Sequence, residues 1–232
     1  MKRVVAVVQA RMGSTRFPNK MLAQLGGRPV LEWVLRRVSS SCGVDEVILA
    51  TSTERRDDAL IQVAEDSHVS SFRGDEVDVL QRFVGAARAT KADLVVRVCA
   101  DNPFVDSGEI DRLITFFLGC RCDYAFNHQD RLECNYADGF GAEMLGVPLL
   151  EQIARSASAP AHREHVTQFL WDHADAYRIE AVPVPAGLAY PNLRFDIDTP
   201  EDLARLSALV MAGVDVSTPA HKIVELSLEG KL

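Results

Sequence analysis

The chain lacks the marks of several large protein classes. No apolar stretch in its 232 residues runs longer than a few positions, Val4–Val8 being typical, so no membrane insertion is expected. The start, Met1-Lys2-Arg3, is basic, but the strand-length run behind it is broken at Gln9 and Arg11. A secretory signal needs a longer apolar region, and a cytoplasmic location is expected. No G-x-x-x-x-G-K-[ST] occurs, and no G-x-G-x-x-G follows the first apolar run. The first absence excludes a P-loop and the second disfavours a dinucleotide fold. Positive charge is in deficit, 25 Lys and Arg against 33 Asp and Glu, for a formal charge of −8. Binding nucleic acid calls for the opposite balance, so no such partner is expected. The five cysteines are odd in number, and reduced thiols are expected. Cys120, Cys122, His128 and Cys134 cluster without the spacing of a zinc finger, and burial of small apolar thiols is the better reading.

What is present is the pattern of an α/β protein. The composition, 47% hydrophobic and 25% charged, is that of a globular chain able to bury a core unaided. Val4–Val8, Val47–Ala50 and Leu94–Val98 are nearly all apolar, as strands covered on both faces are. Between them, Pro29–Val38 and Asp78–Ala89 carry apolar residues at helical spacing. This alternation through about residue 118 predicts βαβ units and a mostly parallel sheet. The second half is mixed. Strands are predicted at Asp123–Asn127, Ala142–Val147, Arg178–Val184 and Leu193–Ile197, with one helix over Pro160–His173. Thr199-Pro200-Glu201-Asp202 opens another helix, with Thr199 as its cap, and a helical tail is expected from Pro219 on. No linker or repeat divides the chain, so one domain over 1–232 is expected. Trp33 and Trp171 read as core aromatics.

One local absence stands out. Residues 1–31 contain no Asp or Glu, although the chain average predicts about four, and they hold Lys2, Arg3, Arg11, Arg16, Lys20 and Arg28. The cationic run Gln9–Lys20 directly follows the first strand, at the sheet edge where α/β proteins bind ligands. Gly13 and Ser14 can turn backbone N–H groups to an anion, with Arg11, Arg16 and Lys20 around it. A polyphosphate fits that chemistry. Asp101 ends the third apolar strand and Asp198 follows a late one. If their strands share a sheet, the two carboxylates can meet at one Mg²⁺, which favours carboxylates, phosphate oxygens and water. Asp196 competes with Asp198 for that role.

The segment Gln9-Ala10-Arg11-Met12-Gly13-Ser14-Thr15-Arg16-Phe17-Pro18-Asn19-Lys20-Met21-Leu22 resembles the signature of the sugar cytidylyltransferases. That family includes the CMP-sialic acid and CMP-Kdo synthetases, and the likeness is greatest to its spore-coat polysaccharide biosynthesis protein F branch. Further blocks follow in order over nearly the whole chain. They are Leu25–Leu31, Arg73–Leu80, Ala100–Asp106, Arg163–Thr167 and Asp196–Asp202. Ala100 stands where the family usually carries Gly. The resemblance implies a Rossmann-like nucleotide-diphospho-sugar transferase fold, with a nucleotide-binding half at 1–118 and a sugar-binding half with C-terminal helices at 119–232. It implies that Gln9, Ala10, Arg11, Gly13, Ser14, Arg16, Lys20, Arg73 and Asp101 hold CTP, and that Asp101 and Asp198 hold the catalytic Mg²⁺.

For the second substrate, residues 127–171 concentrate polar groups that a bare fold does not need, including Asn127, His128 and His162. Asn135, Asp138, Glu143, Arg163 and His165 are the candidate sugar contacts, since hydroxyl-rich ligands call for mixed donors and acceptors. Arg163 and His165, two apart on a predicted helix, point in different directions. The expected reaction is attack of a sugar hydroxyl on the α-phosphorus of CTP with loss of pyrophosphate, the sugar being acidic or modified and destined for surface polysaccharide. Catalysis by positioning and electrostatics explains why no Ser-His or Cys-His nucleophile pair is evident. Two other readings stay open: a glycosyltransferase of similar fold using a ready-made nucleotide sugar, and a non-catalytic nucleotide- or sugar-binding module. Dimers are common in the family, so the resemblance allows a homodimer, and the sequence leaves the oligomeric state open.

Overall fold

The computed structural model describes residues 2–128 and 131–230. Met1 and Lys231-Leu232, the ends of the expected domain and tail, lie outside the described residues.

The first half alternates strand and helix: β1 (Val4–Gln9), a small hairpin of β2 (Gln24–Leu25) and β3 (Arg28–Pro29), α1 (Val30–Ser39), β4 (Glu46–Ser52), α2 (Asp58–Asp66), β5 (Ser70–Gly74), α3 (Val79–Ala89), β6 (Leu94–Cys99) and α4 (Ser107–Gly119). The second half holds β7 (Tyr124–Phe126), β8 (Glu143–Gly146), α5 (Val147–Ser156), α6 (Pro160–Glu164), α7 (Gln168–Asp172), β9 (Ile179–Ala181), α8 (Pro200–Met211) and α9 (Ala220–Leu228). One seven-stranded sheet runs in the order β5-β4-β1-β6-β8-β7-β9. The pairs β5–β4, β4–β1, β1–β6 and β7–β9 are parallel, and β8 runs against both of its neighbours. The α/β architecture with a mostly parallel sheet and a mixed second half is therefore as expected.

The apolar runs are continuous because each strand serves two cores. Val4, Ala6 and Val8 of β1 enter one cluster with residues of α1, α2, α4, α8 and α9. Val5 and Val7 enter the other with α3, α5 and α7. Capping fixes where helices begin at the ligand edge. Asp78 accepts from Gln81 N at 2.9 Å and Asp106 from Glu109 N at 3.1 Å. Thr199 and Asp202 form a reciprocal capping box ahead of α8, with Pro200 in its first turn.

Several local expectations need correction. Pro160–His173 is not one helix: α6 and α7 are separated at His165–Thr167, where His165 is extended (φ −103°) and Val166 and Thr167 are buried. That burial draws a β-branched pair out of the helical path. Leu193–Ile197 forms no strand beyond a single bridge between Arg194 and Asp138. Its backbone runs past the sheet, bonded to Asp138 on one side and through Ile197 N to Asp101 O (2.8 Å) on the other. Polar β5 and helices α2, α4 and α5 have no counterpart in the expectations. Cys120 and Cys122 are joined as a disulfide, against the expectation of free thiols throughout. Trp33 is buried, its Nε1 donating to Leu25 O at 2.7 Å, and Trp171 packs edge-on to Tyr124 and Phe126.

Candidate active site

The cationic loop leaves the carboxyl end of β1 and is tied down from below. Asp57, fully buried at the start of α2, accepts from Met12 N at 2.8 Å and from the Thr51 hydroxyl at 3.1 Å. A carboxylate bonded this way anchors the loop to the end of β4. Asn19, in the left-handed region (φ 60°), turns the chain into a short 3₁₀ turn at Lys20–Leu22. That turn carries Lys20 inward, where its Nζ lies 3.4 Å from Asp101 Oδ2 and 3.3 Å from Asp198 Oδ1 and donates to Ile197 O at 2.9 Å. Arg16 Nη1 meets Asp198 Oδ2 at 2.9 Å, and Arg11 Nη2 meets Glu164 Oε1 at 3.0 Å. Each of the three expected phosphate-binding cations thus faces a carboxylate across a cleft.

Two cavities open along this cleft. One, of about 400 Å³, is lined by Arg97, His128, Asp138, Glu143, Arg194 and Asp196 among others. The other, of about 350 Å³, is lined by Gln9, Arg11, Gly13, Ser14 and Lys20 among others. They share Arg16, Cys99, Asp101, His165 and Asp198 as a common wall. One side presents cations and backbone, the other mixed donors and acceptors, and the paired aspartates stand between them.

Glycines shape the cavity of about 400 Å³. A side chain at Gly141 would place Cβ 1.9 Å from Asn127 O, and Gly139 (φ 106°) sits against the Phe195 backbone. Without Cβ atoms, the stretch from Asp138 to Glu143 can lie close to both neighbours. Asp138 and Glu143 consequently line one cavity. Asp138 makes no side-chain hydrogen bond or ion pair among the described residues. Burial pushes its pKa up, and the nearby carboxylates of Asp196 and Asp101 add to the rise. Burial also raises Glu143, but Arg97 and His128 outweigh it and hold that carboxyl below its ordinary range. Arg194 forks onto Asp196 at 3.0 and 2.6 Å. Burial pushes the Cys99 thiol up to about 12, despite the opposing pull of Arg97, so it stays protonated and carries no nucleophilic chemistry.

Not every expected contact reaches the cavities. Arg73, at the end of β5, is held by Ser52 O, Asp58 and Glu54 O. Arg163 bonds Asp78, the cap of α3, and Ala154 O. Asn135 is exposed and donates to Glu133 O, and Ala10 is buried in the core. None of these four side chains lines either cavity. His165, by contrast, belongs to both, because the break between α6 and α7 turns it away from Arg163. Sequence reasoning missed Arg97, Arg194 and Asp57. Arg97 had a visible signal, a single charge inside the apolar run Leu94–Cys99.

Among known proteins, the cytidylyltransferase family model matches residues 5–218. The chain belongs to the cytidylyltransferases. It is a nucleotidyltransferase of the kind that uses CTP. The spore coat polysaccharide biosynthesis protein SpsF of Bacillus subtilis is 33% identical over 232 residues, covering 97% of this chain and 94% of that protein. The structure of a cytidylyltransferase from Leptospira borgpetersenii superposes with a TM-score of 0.92 at 27% identity, covering 99% of this chain and 95% of that one. A CMP:2-keto-3-deoxy-manno-octonic acid synthetase, solved with CTP, shares the fold with a TM-score of 0.68 at 18% identity, covering 91% of this chain and 100% of that one.

Proposed function

We propose that this cytidylyltransferase transfers CMP from CTP to a hydroxyl of an acidic or modified sugar, releasing pyrophosphate, in the cytoplasmic synthesis of a surface polysaccharide. The observation that carries the reading is the pair of cavities meeting at Asp101 and Asp198, one suited to a polyphosphate and one to a polyhydroxy ligand. On this reading residues 1–118 supply most of the nucleotide site and 119–232 most of the sugar site, within one domain. The spore-coat relative's name supports the polysaccharide destination.

Arg11, Arg16 and Lys20 bind the β- and γ-phosphates once these displace the carboxylates now facing them, and they stabilise the departing pyrophosphate. The backbone of Gln9, Gly13 and Ser14 completes the phosphate cradle. The sugar hydroxyl oxygen forms a bond to the α-phosphorus as the bond from that phosphorus to the bridging oxygen breaks, its proton leaving to solvent and pyrophosphate departing. Asp138, Glu143 and His165 orient the sugar for this attack. Asp101 and Asp198 already converge on one cation, the Lys20 ammonium, and the two carboxylates would hold Mg²⁺, which would supply charge neutralisation at the phosphates. Lys20 Nζ reaches both Asp101 and Asp198, whereas Asp196 pairs with Arg194, which supports Asp198 as the partner of Asp101. A homodimer belongs to the same reading.

The test is pyrophosphate release from each of the four ribonucleoside triphosphates with Mg²⁺ against a panel including 3-deoxy-manno-octulosonate and N-acetylneuraminate. The expected outcome is release with CTP that depends on a sugar. Release of a nucleoside diphosphate from a nucleotide sugar would instead establish a glycosyltransferase, and binding without turnover a non-catalytic module.

A further inference from the structure

The floor of the larger cavity holds an unusual arrangement. Arg97, from the middle of β6, and Glu143, at the start of β8, are paired across the antiparallel register. Arg97 Nη1 donates to Glu143 Oε1 at 2.7 Å, and His128 Nε2 meets the same oxygen at 2.9 Å. Glu143 is only 4% exposed. Its other oxygen, Oε2, and the Arg97 Nε–H are both buried with no hydrogen-bond partner among the described residues. Both side chains line the cavity. An unmet donor and an unmet acceptor in one buried pair cost stability in the free protein, and they mark where a ligand completes the set.

Resting on the reading of this cavity as the sugar site, we propose that Arg97 is a specificity-determining residue which, with Glu143, seats an uncharged, hydroxyl-bearing end of the sugar. A hydroxyl, or two adjacent hydroxyls, donates to Glu143 Oε2 and accepts from Arg97 Nε. A carboxylate does not fit there. The Arg97 charge is already balanced by Glu143, and an anion would meet the Oε2 lone pairs. Any carboxylate of the sugar therefore lies away from this floor.

Two variants test the assignment. Glu143→Gln keeps an acceptor for Arg97 but turns the unmet acceptor into a donor. It should raise the sugar KM at least about tenfold, as loss of a buried polar contact does, and leave the CTP KM within about twofold. Arg97→Met with Glu143→Leu removes both unmet groups. Because a buried pair of either role can be replaced by apolar groups at little cost in melting temperature, the decisive result in the double variant is that sugar-dependent pyrophosphate release is lost while calorimetric CTP affinity persists. N-acetylneuraminate and 3-deoxy-manno-octulosonate are the probes. If the wild type turns over neither, the cytidylyltransfer reading fails for these sugars, and calorimetric binding of each sugar to the wild type and to Glu143→Gln still decides this inference. An unchanged sugar KM or sugar affinity in Glu143→Gln, or unchanged sugar-dependent release in the double variant, overturns it.

Discussion

The two cavities that meet at Asp101 and Asp198 are built in opposite ways. On the phosphate side, the cations come from one short stretch of chain, and the carboxylates they face can be exchanged for a ligand. Arg16 is 69% exposed and Arg11 34% exposed at their side chains, and partly solvated pairs of this kind contribute little stability. On the sugar side, Arg97 and Glu143 are committed to one another inside the protein, their side chains 13% and 5% exposed, whereas Arg194, 62% exposed, reaches Asp196 from the surface. Burial makes the Arg97–Glu143 pair rigid and makes removal of one partner alone expensive. A polyphosphate carries charge enough to displace surface pairs, whereas a sugar offers only hydroxyls and must find its donors and acceptors already in place.

The comparison is broken most severely at the shared wall. Asp101→Asn and Asp198→Asn should each reduce CTP-dependent pyrophosphate release by about 10²-fold or more, the scale of losing a charge from the reacting centre, with the melting temperature little changed. Full activity in Asp198→Asn, with loss in Asp196→Asn, would move the divalent-ion role to the neighbouring aspartate.

Next in size are the phosphate cations. Lys20→Ala and Arg16→Ala should weaken calorimetric CTP binding by about 1.5–3 kcal/mol each, the range for hydrogen bonds to charged groups. Lys20 should show the larger loss, since its side chain is 12% exposed and it bridges both aspartates. Unchanged affinity in both variants would mean that the loop is not the phosphate site.

Arg163→Ala sharpens the boundary between the halves. Its guanidinium joins the cap of α3 to α5, bonding Asp78 and, at 2.7 Å, Ala154 O. The expected result is a loss of about 1–3 kcal/mol in stability, as for a partly buried polar group deprived of its partner, measured by urea unfolding. The sugar KM should stay near wild type. A changed KM with unchanged stability would return Arg163 to the sugar site.

These contrasts also explain what was legible. The phosphate loop is contiguous in sequence, and its lack of acids shows before any fold is known. Strands β1, β4 and β6 are also legible, because burial on both faces writes a nearly continuous apolar run, broken in β6 only by Arg97. The sugar cavity is assembled from stretches around residues 97–102, 128–143, 165–168 and 194–198, and nothing local to any of them states that they meet. His165 and Arg163 are two positions apart, yet only the break that buries Val166 and Thr167 sends one to the cavity and the other to α3. Asp57 looks like any polar residue near a helix start, and its role depends on a backbone N–H 45 positions away.

The smallest effect tests whether the sugar side is held ready at a cost. Asp138 faces the cavity without an ion-pair partner among the described residues, and burial raises its pKa. Its ordinary value in the unfolded chain is about 3.9. Above the raised value the carboxyl is ionised in both states, and the folded protein bears the full cost of burying the charge. As pH falls through the raised value, the folded state takes up a proton first and wild-type stability rises. Below about 3.9 both states are protonated and the cost is gone. Asp138→Asn has no such group, so it should melt higher than the wild type at pH 7, with a margin that narrows steadily towards pH 4. The same variant should keep CTP affinity within about 0.5 kcal/mol, while sugar-dependent pyrophosphate release falls at least about tenfold. A margin that stays constant with pH would show that Asp138 is already satisfied in the free protein. Its carboxylate would then belong to the fold, and the sugar cavity would not be strained in the way its exposed neighbour across Asp101 avoids.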